Sequence, residues 1–124
     1  MEKTILIVED DTQNRKLVKE LLATRGYRII EAENGKQGVV LAAEKKPDLI
    51  LMDVQMPVMN GLDAMKIIKA DDDTKSIPVI LLTAFAMKED KERFCKSGCD
   101  GYITKPMDTR KFIKIIGEYL AGAG

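Results

Sequence analysis

Short apolar runs rich in β-branched residues alternate with segments of helical spacing along this chain of 124 residues, and this alternation constrains the fold more than any other feature. Five runs are read as strands: TILIV (4–8), RIIEA (28–32), DLILM (48–52), IPVILL (77–82) and GYI (101–103). Most are continuously apolar rather than alternating, which is typical of parallel strands buried on both faces. The segments read as helices cover 12–26, 35–46, 61–70, 87–98 and 108–120. This order predicts an α/β fold in which right-handed crossovers place helices on both sides of a parallel sheet.

The ends of several helices can be placed from local chemistry. Asp11 or Thr12 is a candidate N-cap for the first helix, and Asp108 is a candidate N-cap for the last one. Gly26 and Gly98 stand where the C-terminal caps of the first and fourth helices belong, because glycine accepts the left-handed backbone of such a cap.

The charge balance and the hydropathy of the chain argue against nucleic-acid and membrane partners unless a local basic patch attracts them. Lysine and arginine together number 20, as do the acids, so no global basic field draws the chain to nucleic acid or to a membrane surface. No apolar run approaches the roughly 18 residues of a membrane helix. The start, MEKTILIVEDD, is not a signal peptide, because acids interrupt its apolar run after five residues. We therefore expect a cytoplasmic protein without direct nucleic-acid or membrane contact.

Residue types that often form sites offer little here. The chain contains no histidine, so histidine cannot serve as its base, metal ligand or phosphoryl carrier. Cys95 and Cys99 are read as free, partly buried thiols, since two thiols alone make a poor metal site. Three successive aspartates at 71–73 are read as a solvated loop, because they lack the glycine and the closing glutamate of a calcium loop.

Polar side chains follow four of the five predicted strands. Glu9 and Asp10 follow the first, Asp53 follows the third, Thr83 follows the fourth and Lys105 lies just after the fifth. Each alone has an ordinary interpretation, such as a helix cap or a solvated loop residue. Because ligands bind beyond the carboxyl ends of the strands in an open parallel sheet, their shared edge indicates a site.

The chemistry of this set is coherent. Three carboxylates brought together repel one another unless a cation intervenes, and hard oxygen ligands suit Mg²⁺. Such a site accepts a phosphoryl group, and a carboxylate can itself be the nucleophile. Asp53 is the best candidate nucleophile, while Glu9 and Asp10 are better placed to hold the metal. Lys105 would act as a point charge on one phosphoryl oxygen and Thr83 would donate a hydrogen bond to another.

Four ordered motifs carry a resemblance that covers essentially the whole chain. They are ILIVEDD (5–11), PDLILMDVQMPVMNG (47–61), PVILLTAFA (78–86) and GYITKP (101–106). Together they resemble the receiver domains of two-component response regulators, most of all single-domain phosphorelay regulators or the receiver of a hybrid histidine kinase. The resemblance implies a flavodoxin-like (βα)₅ fold with strand order 2-1-3-4-5, and a single receiver domain over 1–124.

The resemblance also implies a role for each site residue. Asp53 matches the phosphoacceptor, Asp10 the direct metal ligand and Glu9 the acid that acts largely through water. The backbone carbonyl of Gln55 matches the third protein ligand to Mg²⁺.

Further positions match the residues that contact the phosphoryl group and switch the domain. Thr83 and Lys105 match the phosphate-contacting pair, and Tyr102 matches the aromatic switch residue. The bond between Lys105 and Pro106 is expected to be cis. Phe85, at a position that influences hydrolysis of the acyl phosphate, is expected to restrict water and lengthen its lifetime.

Signalling then follows from phosphorylation. Movement of Thr83 toward the phosphoryl group would vacate space for Tyr102, and the predicted helix over 87–98, the fifth strand and the last helix would present the switch surface. The phosphodonor is expected to be a histidine kinase or a histidine phosphotransfer protein. Output would be contact with a downstream protein or onward transfer of the phosphoryl group, from a monomer or weak dimer that turns over no substrate.

Other interpretations remain open at this stage. A phosphatase of the haloacid dehalogenase type would want a second acid where Gln55 stands, and a flavin-binding domain would want a glycine- or hydroxyl-rich loop in place of Glu9-Asp10-Asp11. A binding module that is never phosphorylated usually lacks a key residue, and none is lacking. The chain could also be a receiver module cut from a longer regulator or kinase.

Overall fold

A computed structural model describes residues 3–54, 59–83, 98, 100–104 and 109–122. They form one five-stranded sheet whose paired strands are all parallel, in the order β2-β1-β3-β4-β5. The strands are β1 (Thr4–Val8), β2 (Arg28–Ala32), β3 (Leu49–Asp53), β4 (Val79–Thr83) and β5 (Gly101–Thr104). The described helices are α1 (Thr12–Ala23), α2 (Gly35–Lys45), α3 (Gly61–Ala70) and α4 (Thr109–Gly122). The predicted α/β architecture and strand order are confirmed.

Three predicted strand ends shift by one residue. Asp53, Thr83 and Thr104 are the last residues of β3, β4 and β5 instead of the first residues after them. The fourth strand also begins at Val79 and not at Ile77, because the Ile77 N–H closes a turn on the carbonyl of Thr74.

The structure describes both predicted ends of the first helix, α1. Asp11 is the N-cap of α1, since its Oδ1 accepts the N–H groups of Gln13 and Asn14 at 2.9 and 3.0 Å. The expectation that Gly26 caps the C-terminus is wrong, because the helix ends earlier and its C-cap is Thr24.

The turn after α1 explains this difference. The Thr24 hydroxyl donates to the carbonyl of Leu21 at 2.7 Å, satisfying a group at the helix end. Gly26 has a φ of 81° and serves the turn into β2. Gly98 also has a positive φ, 97°, but the rest of the segment 87–98 lies outside the described residues, as does Asp108.

The core consists of two clusters, one on each face of the sheet. Alternate residues of the buried strands point to opposite faces, which splits the strands between the two clusters. One cluster joins the sheet to α1 and α4, through Ile5, Ile7, Val18, Leu22, Leu51, Phe112 and Ile116 among others. The other joins it to α2 and α3, through Leu6, Val8, Ala42, Met52, Met65 and Ile68 among others. Because both faces are covered, β1, β3 and β4 are almost entirely buried up to the carboxyl edge, whereas the edge strand β2 exposes Arg28 and Glu31. Among the helices that the structure describes, none has the length and apolar character needed to cross a bilayer.

Candidate metal and phosphoryl site

The register of the two central strands brings two acids to the same edge and the same face. Ile7 of β1 pairs with Leu51 of β3. Side chains two residues apart on a strand share a face, so Glu9 and Asp53 continue the rows of these two residues. Their side chains therefore leave the sheet together, on the face that carries α1 and α4.

The structure joins Asp10 to this pair. One carboxylate oxygen from each of Glu9, Asp10 and Asp53 lies within 4.8 Å of the other two. Glu9 and Asp53 are buried, with 2% and 6% of their surface exposed, whereas Asp10 is exposed. The cluster thus has a buried floor and an open side, which is the arrangement of a cation site that keeps access to solvent.

The backbone around Glu9 is held on both sides. Its N–H donates to the carbonyl of Ala32 at 3.1 Å, and its carbonyl accepts a hydrogen bond from Arg15 Nη1 at 2.8 Å. The first bond extends the β1–β2 ladder by one residue, and the second ties the loop before α1 to that helix.

The backbone around Asp53 is enclosed by the start of α3. The Gly61 N–H donates to the carbonyl of Val54 at 2.9 Å, and the Val54 N–H donates to Leu82 at 3.0 Å. A Cβ built on Gly61 would overlap the carbonyl oxygen of Asp53 and lie 2.8 Å from its carbonyl carbon. Glycine at this position therefore allows α3 to begin directly beneath the strand end that carries Asp53.

Thr83 and Tyr102 lie on the next two strands. Asp53 pairs with Leu82, so Thr83 stands one residue further toward the carboxyl edge of β4, where it is 1% exposed. Tyr102 pairs with Leu81, is half-buried and packs against the cluster that includes α2 and α3. The hydroxyl-bearing strand end adjoins the acidic cluster, with Tyr102 on the strand beyond it.

Comparison with known proteins identifies the family. The sequence model described as "Response regulator receiver domain" matches residues 5–117. The chain belongs to the response regulator receiver domains. The polar-differentiation response regulator DivK of Brucella anthropi is 47% identical over 123 residues, which are 99% of this chain and 100% of that protein. The DivK protein of Brucella ovis is 46% identical over the same coverage.

Solved structures of receiver and chemotaxis proteins have the same fold as this chain. The receiver domain of the sensor histidine kinase PA1611 from Pseudomonas aeruginosa, determined with magnesium coordinated in its active site cleft, superposes with a TM-score of 0.90 at 31% identity. That comparison covers 98% of this chain and 99% of the other. The chemotaxis protein CheY4 of Vibrio cholerae superposes with a TM-score of 0.89 at 27% identity, over 96% of this chain and 99% of the other.

Membership in the family indicates a role in signal transduction. Receiver domains are signalling modules and not turnover enzymes, and they imply a histidine kinase as phosphodonor and a downstream target. The acidic group of this receiver, Glu9, Asp10 and Asp53, is of the kind that could hold a metal ion.

Other predicted site residues fall outside the described part of the receiver. Gln55, Lys105 and Phe85 lie there, as does the bond between Lys105 and Pro106. The structure therefore brings the three acids together and places Thr83 at the end of the neighbouring strand β4, while the placement of Gln55, Phe85 and Lys105 stays a prediction.

Two residues that support the site were missed by sequence reasoning. Arg15 looks like its neighbours Lys16 and Lys19 on the first helix, and nothing local distinguishes it. Gly61 stands at the start of the third predicted helix, and that position alone does not show its approach to the backbone of Asp53. Both roles depend on which elements the crossovers bring together.

Proposed function

We propose that this receiver accepts a phosphoryl group on Asp53 from a phosphohistidine, carried by a histidine kinase or a histidine phosphotransfer protein, and thereby changes a surface that a partner protein reads. One observation carries the proposal: three carboxylates lie within 4.8 Å of one another at the end of the central strand. The relatives named as response regulators support it. We further propose that residues 1–124 constitute one receiver domain.

The acidic cluster fits Mg²⁺ by the chemistry of its donors. Hard carboxylate oxygens are the ligands that Mg²⁺ prefers, and one or two of them normally suffice because the ion keeps several waters. Asp10 and Asp53 would bind directly, Glu9 would act through water, and the backbone carbonyl of Gln55 would complete the protein ligands. The magnesium described for the PA1611 receiver supports this choice. When bound, Mg²⁺ supplies positive charge that offsets the carboxylates and the phosphoryl oxygens.

Asp53 is the proposed nucleophile because of its place in the sheet. Its strand, β3, lies between β1, which leads to the acidic pair, and β4, which ends in Thr83. A phosphoryl group on Asp53 would therefore have the metal site on one side and a hydroxyl on the other. Glu9, whose backbone is bonded on both sides, is better suited to a fixed supporting role.

The transfer step follows from these positions. A carboxylate oxygen of Asp53 attacks the phosphorus, and the bond between phosphorus and the donor's imidazole nitrogen breaks. The electron pair of that bond returns to the imidazole, which takes up a proton, and an acyl phosphate remains on Asp53. Thr83 would donate a hydrogen bond to one phosphoryl oxygen, and the Lys105 ammonium would contact another.

Output is proposed to run through Thr83 and Tyr102. Thr83 is fully buried at the end of β4, so its movement toward a phosphoryl group would leave space that only a neighbouring side chain can fill. Tyr102, half-buried on the adjacent strand, is the proposed occupant. The switch surface would comprise the predicted helix over 87–98, β5 and α4, as a shift between two packings.

Phosphate-affinity gel electrophoresis tests the proposal. The purified chain is incubated with acetyl phosphate, with Mg²⁺ or with excess EDTA. A retarded band is expected only with Mg²⁺, and it should vanish in Asp53→Asn. Asp48→Asn is the matched control, because Asp48 is an acid directly before the opposite end of β3, where its Oδ2 accepts a hydrogen bond from the N–H of Thr4.

Two results would contradict the proposal. A retarded band of wild-type strength in Asp53→Asn would move the phosphoacceptor elsewhere. Continuous release of phosphate from acetyl phosphate over many turnovers, with no phosphorylated protein accumulating, would favour the phosphatase interpretation instead.

A further inference from the structure

Arg15 makes a contact with the metal site that sequence reasoning did not anticipate. Its side chain is only 12% exposed although it lies on the outer helix α1. Its Nη1 donates a hydrogen bond of 2.8 Å to the backbone carbonyl of Glu9. A bond between a charged donor and a neutral carbonyl is stronger than an ordinary backbone hydrogen bond, so this contact is a firm constraint on the loop.

The constrained carbonyl belongs to the peptide that joins the two acids. A peptide unit is planar, so the carbonyl of Glu9 and the N–H of Asp10 turn together. The N–H of Glu9 is already fixed on Ala32 at 3.1 Å. With the carbonyl also fixed, the plane of the Glu9–Asp10 peptide is held, which constrains the position of the Asp10 Cα beside the cluster.

The guanidinium is itself held in place from β2 and the loop that follows it. Arg15 Nε lies 3.4 Å from Glu31 Oε1, and Nη2 lies 3.9 Å from Glu33 Oε1. A planar guanidinium presents its N–H donors in fixed directions, whereas the donors of an ammonium rotate about the end of a flexible chain. Lys19 pairs with the same Glu31 at 3.2 Å from one helical turn further along. Arg15 thus links the second strand to the loop of the acidic pair.

We propose that Arg15 is a positioning residue for the metal site, which orients the Glu9–Asp10 peptide so that both carboxylates converge with Asp53 on one cation. The inference deepens the proposed function and rests on it. Arg15 acts through that peptide, so its effect belongs to metal affinity and not to the phosphoryl transfer step.

Whether removal of Arg15 weakens or strengthens Mg²⁺ binding distinguishes a positioning role from a simple effect of charge. Removing a positive charge near three carboxylates makes the site more negative, which by itself would strengthen Mg²⁺ binding. Loss of positioning would weaken it. Residues that orient metal ligands typically change metal affinity by about tenfold or more when they are removed.

An NMR titration with MgCl₂, following the backbone amides of Asp10 and Asp53 without any phosphodonor, measures this affinity. Arg15→Met is expected to raise the half-saturating Mg²⁺ concentration about tenfold. Arg15→Lys should recover part of the loss, since one ammonium can still reach one acceptor. Lys19→Met is the matched control, because it removes a cation paired with Glu31 but keeps the bond to Glu9, and its Mg²⁺ affinity should stay equal or rise. At saturating Mg²⁺, phosphorylation of Arg15→Met by acetyl phosphate should return to the wild-type rate.

Each outcome bears on a different claim. If wild-type protein shows no Mg²⁺-dependent shift at these amides, the proposed function fails, and the inference fails with it. If wild-type protein binds and Arg15→Met binds equally well or more tightly, only the inference is overturned. If Arg15→Met does not fold, Arg15→Lys decides, because unchanged affinity in that charge-preserving variant contradicts a role for the oriented guanidinium.

Discussion

The substitution Gly61→Ala, which adds one methyl group, should displace the backbone that carries Asp53. The new Cβ would lie 2.8 Å from the carbonyl carbon of Asp53 and 3.0 Å from Met52 Cγ, and would overlap the Asp53 carbonyl oxygen. Nonbonded carbon atoms settle at roughly 3.5 Å, so β3 and the start of α3 must separate by at least about 0.7 Å, and the overlap with the carbonyl oxygen demands more. Overpacking of this kind costs about 1–3 kcal/mol.

Two assays measure the consequences of Gly61→Ala. The melting temperature should fall by roughly 3–15 °C, given the size of the chain and the stability cost above. Because a displacement approaching 1 Å at a reacting group can cost about a hundredfold in rate, phosphorylation by acetyl phosphate should slow by about tenfold or more. Thermal unfolding and a phosphorylation time course at saturating Mg²⁺ give the two numbers.

Gly117→Ala is the matched control for Gly61→Ala. Gly117 lies within α4, and a Cβ there would meet only the Tyr27 hydroxyl, at 3.9 Å. Alanine should therefore stabilise that helix by up to about 1 kcal/mol and leave phosphorylation unchanged. If Gly61→Ala keeps the melting temperature and the phosphorylation rate of the wild type, the view that this glycine fixes the position of Asp53 relative to α3 is refuted.

Three further predictions concern single side chains. Asp11→Ala should lower the free energy of unfolding by about 1 kcal/mol in urea denaturation while Asp11→Asn stays near wild type, and equal losses would contradict the capping role. Lys69 Nζ donates to the carbonyls of Lys75 and Ile77 and to Asp100 Oδ2 at 3.2, 2.8 and 2.7 Å. Lys69→Met should therefore cost about 1–3 kcal/mol, and a loss within error in the same urea assay would show that these bonds contribute nothing. Thr83→Ala should still be phosphorylated, but beryllium fluoride should no longer shift the ring resonances of Tyr102 in NMR spectra, and an unchanged shift would exclude Thr83 from the switch.

Much of the fold could be predicted because its signals are local. Continuously apolar runs mark buried parallel strands, and helical spacing marks the crossovers, so the element order and the α/β class follow directly. The strand order came from the family resemblance and is confirmed by the pairing of the strands. The end of α1 was misplaced because glycine was weighted above the Thr24 hydroxyl, which satisfies a carbonyl at the helix end.

The acidic cluster could also be predicted, since Glu9, Asp10 and Asp53 all follow or end strands that meet at one edge. The residues that support the cluster could not. The contact of Arg15 with Glu31 joins α1 to β2. The contact of Gly61 with Asp53 depends on where α3 begins relative to the end of β3. Such relations arise only when crossovers have packed the elements together.

The chemical identity of the phosphorylated residue tests the central claim most directly. Borohydride reduces an aspartyl phosphate to homoserine, so treatment after incubation with acetyl phosphate and Mg²⁺, followed by peptide mass spectrometry, marks the acceptor. The account predicts homoserine at position 53 and at no other acid, with the mark absent when Mg²⁺ is removed. Homoserine at Asp10 or Asp11 with position 53 unmodified would contradict it.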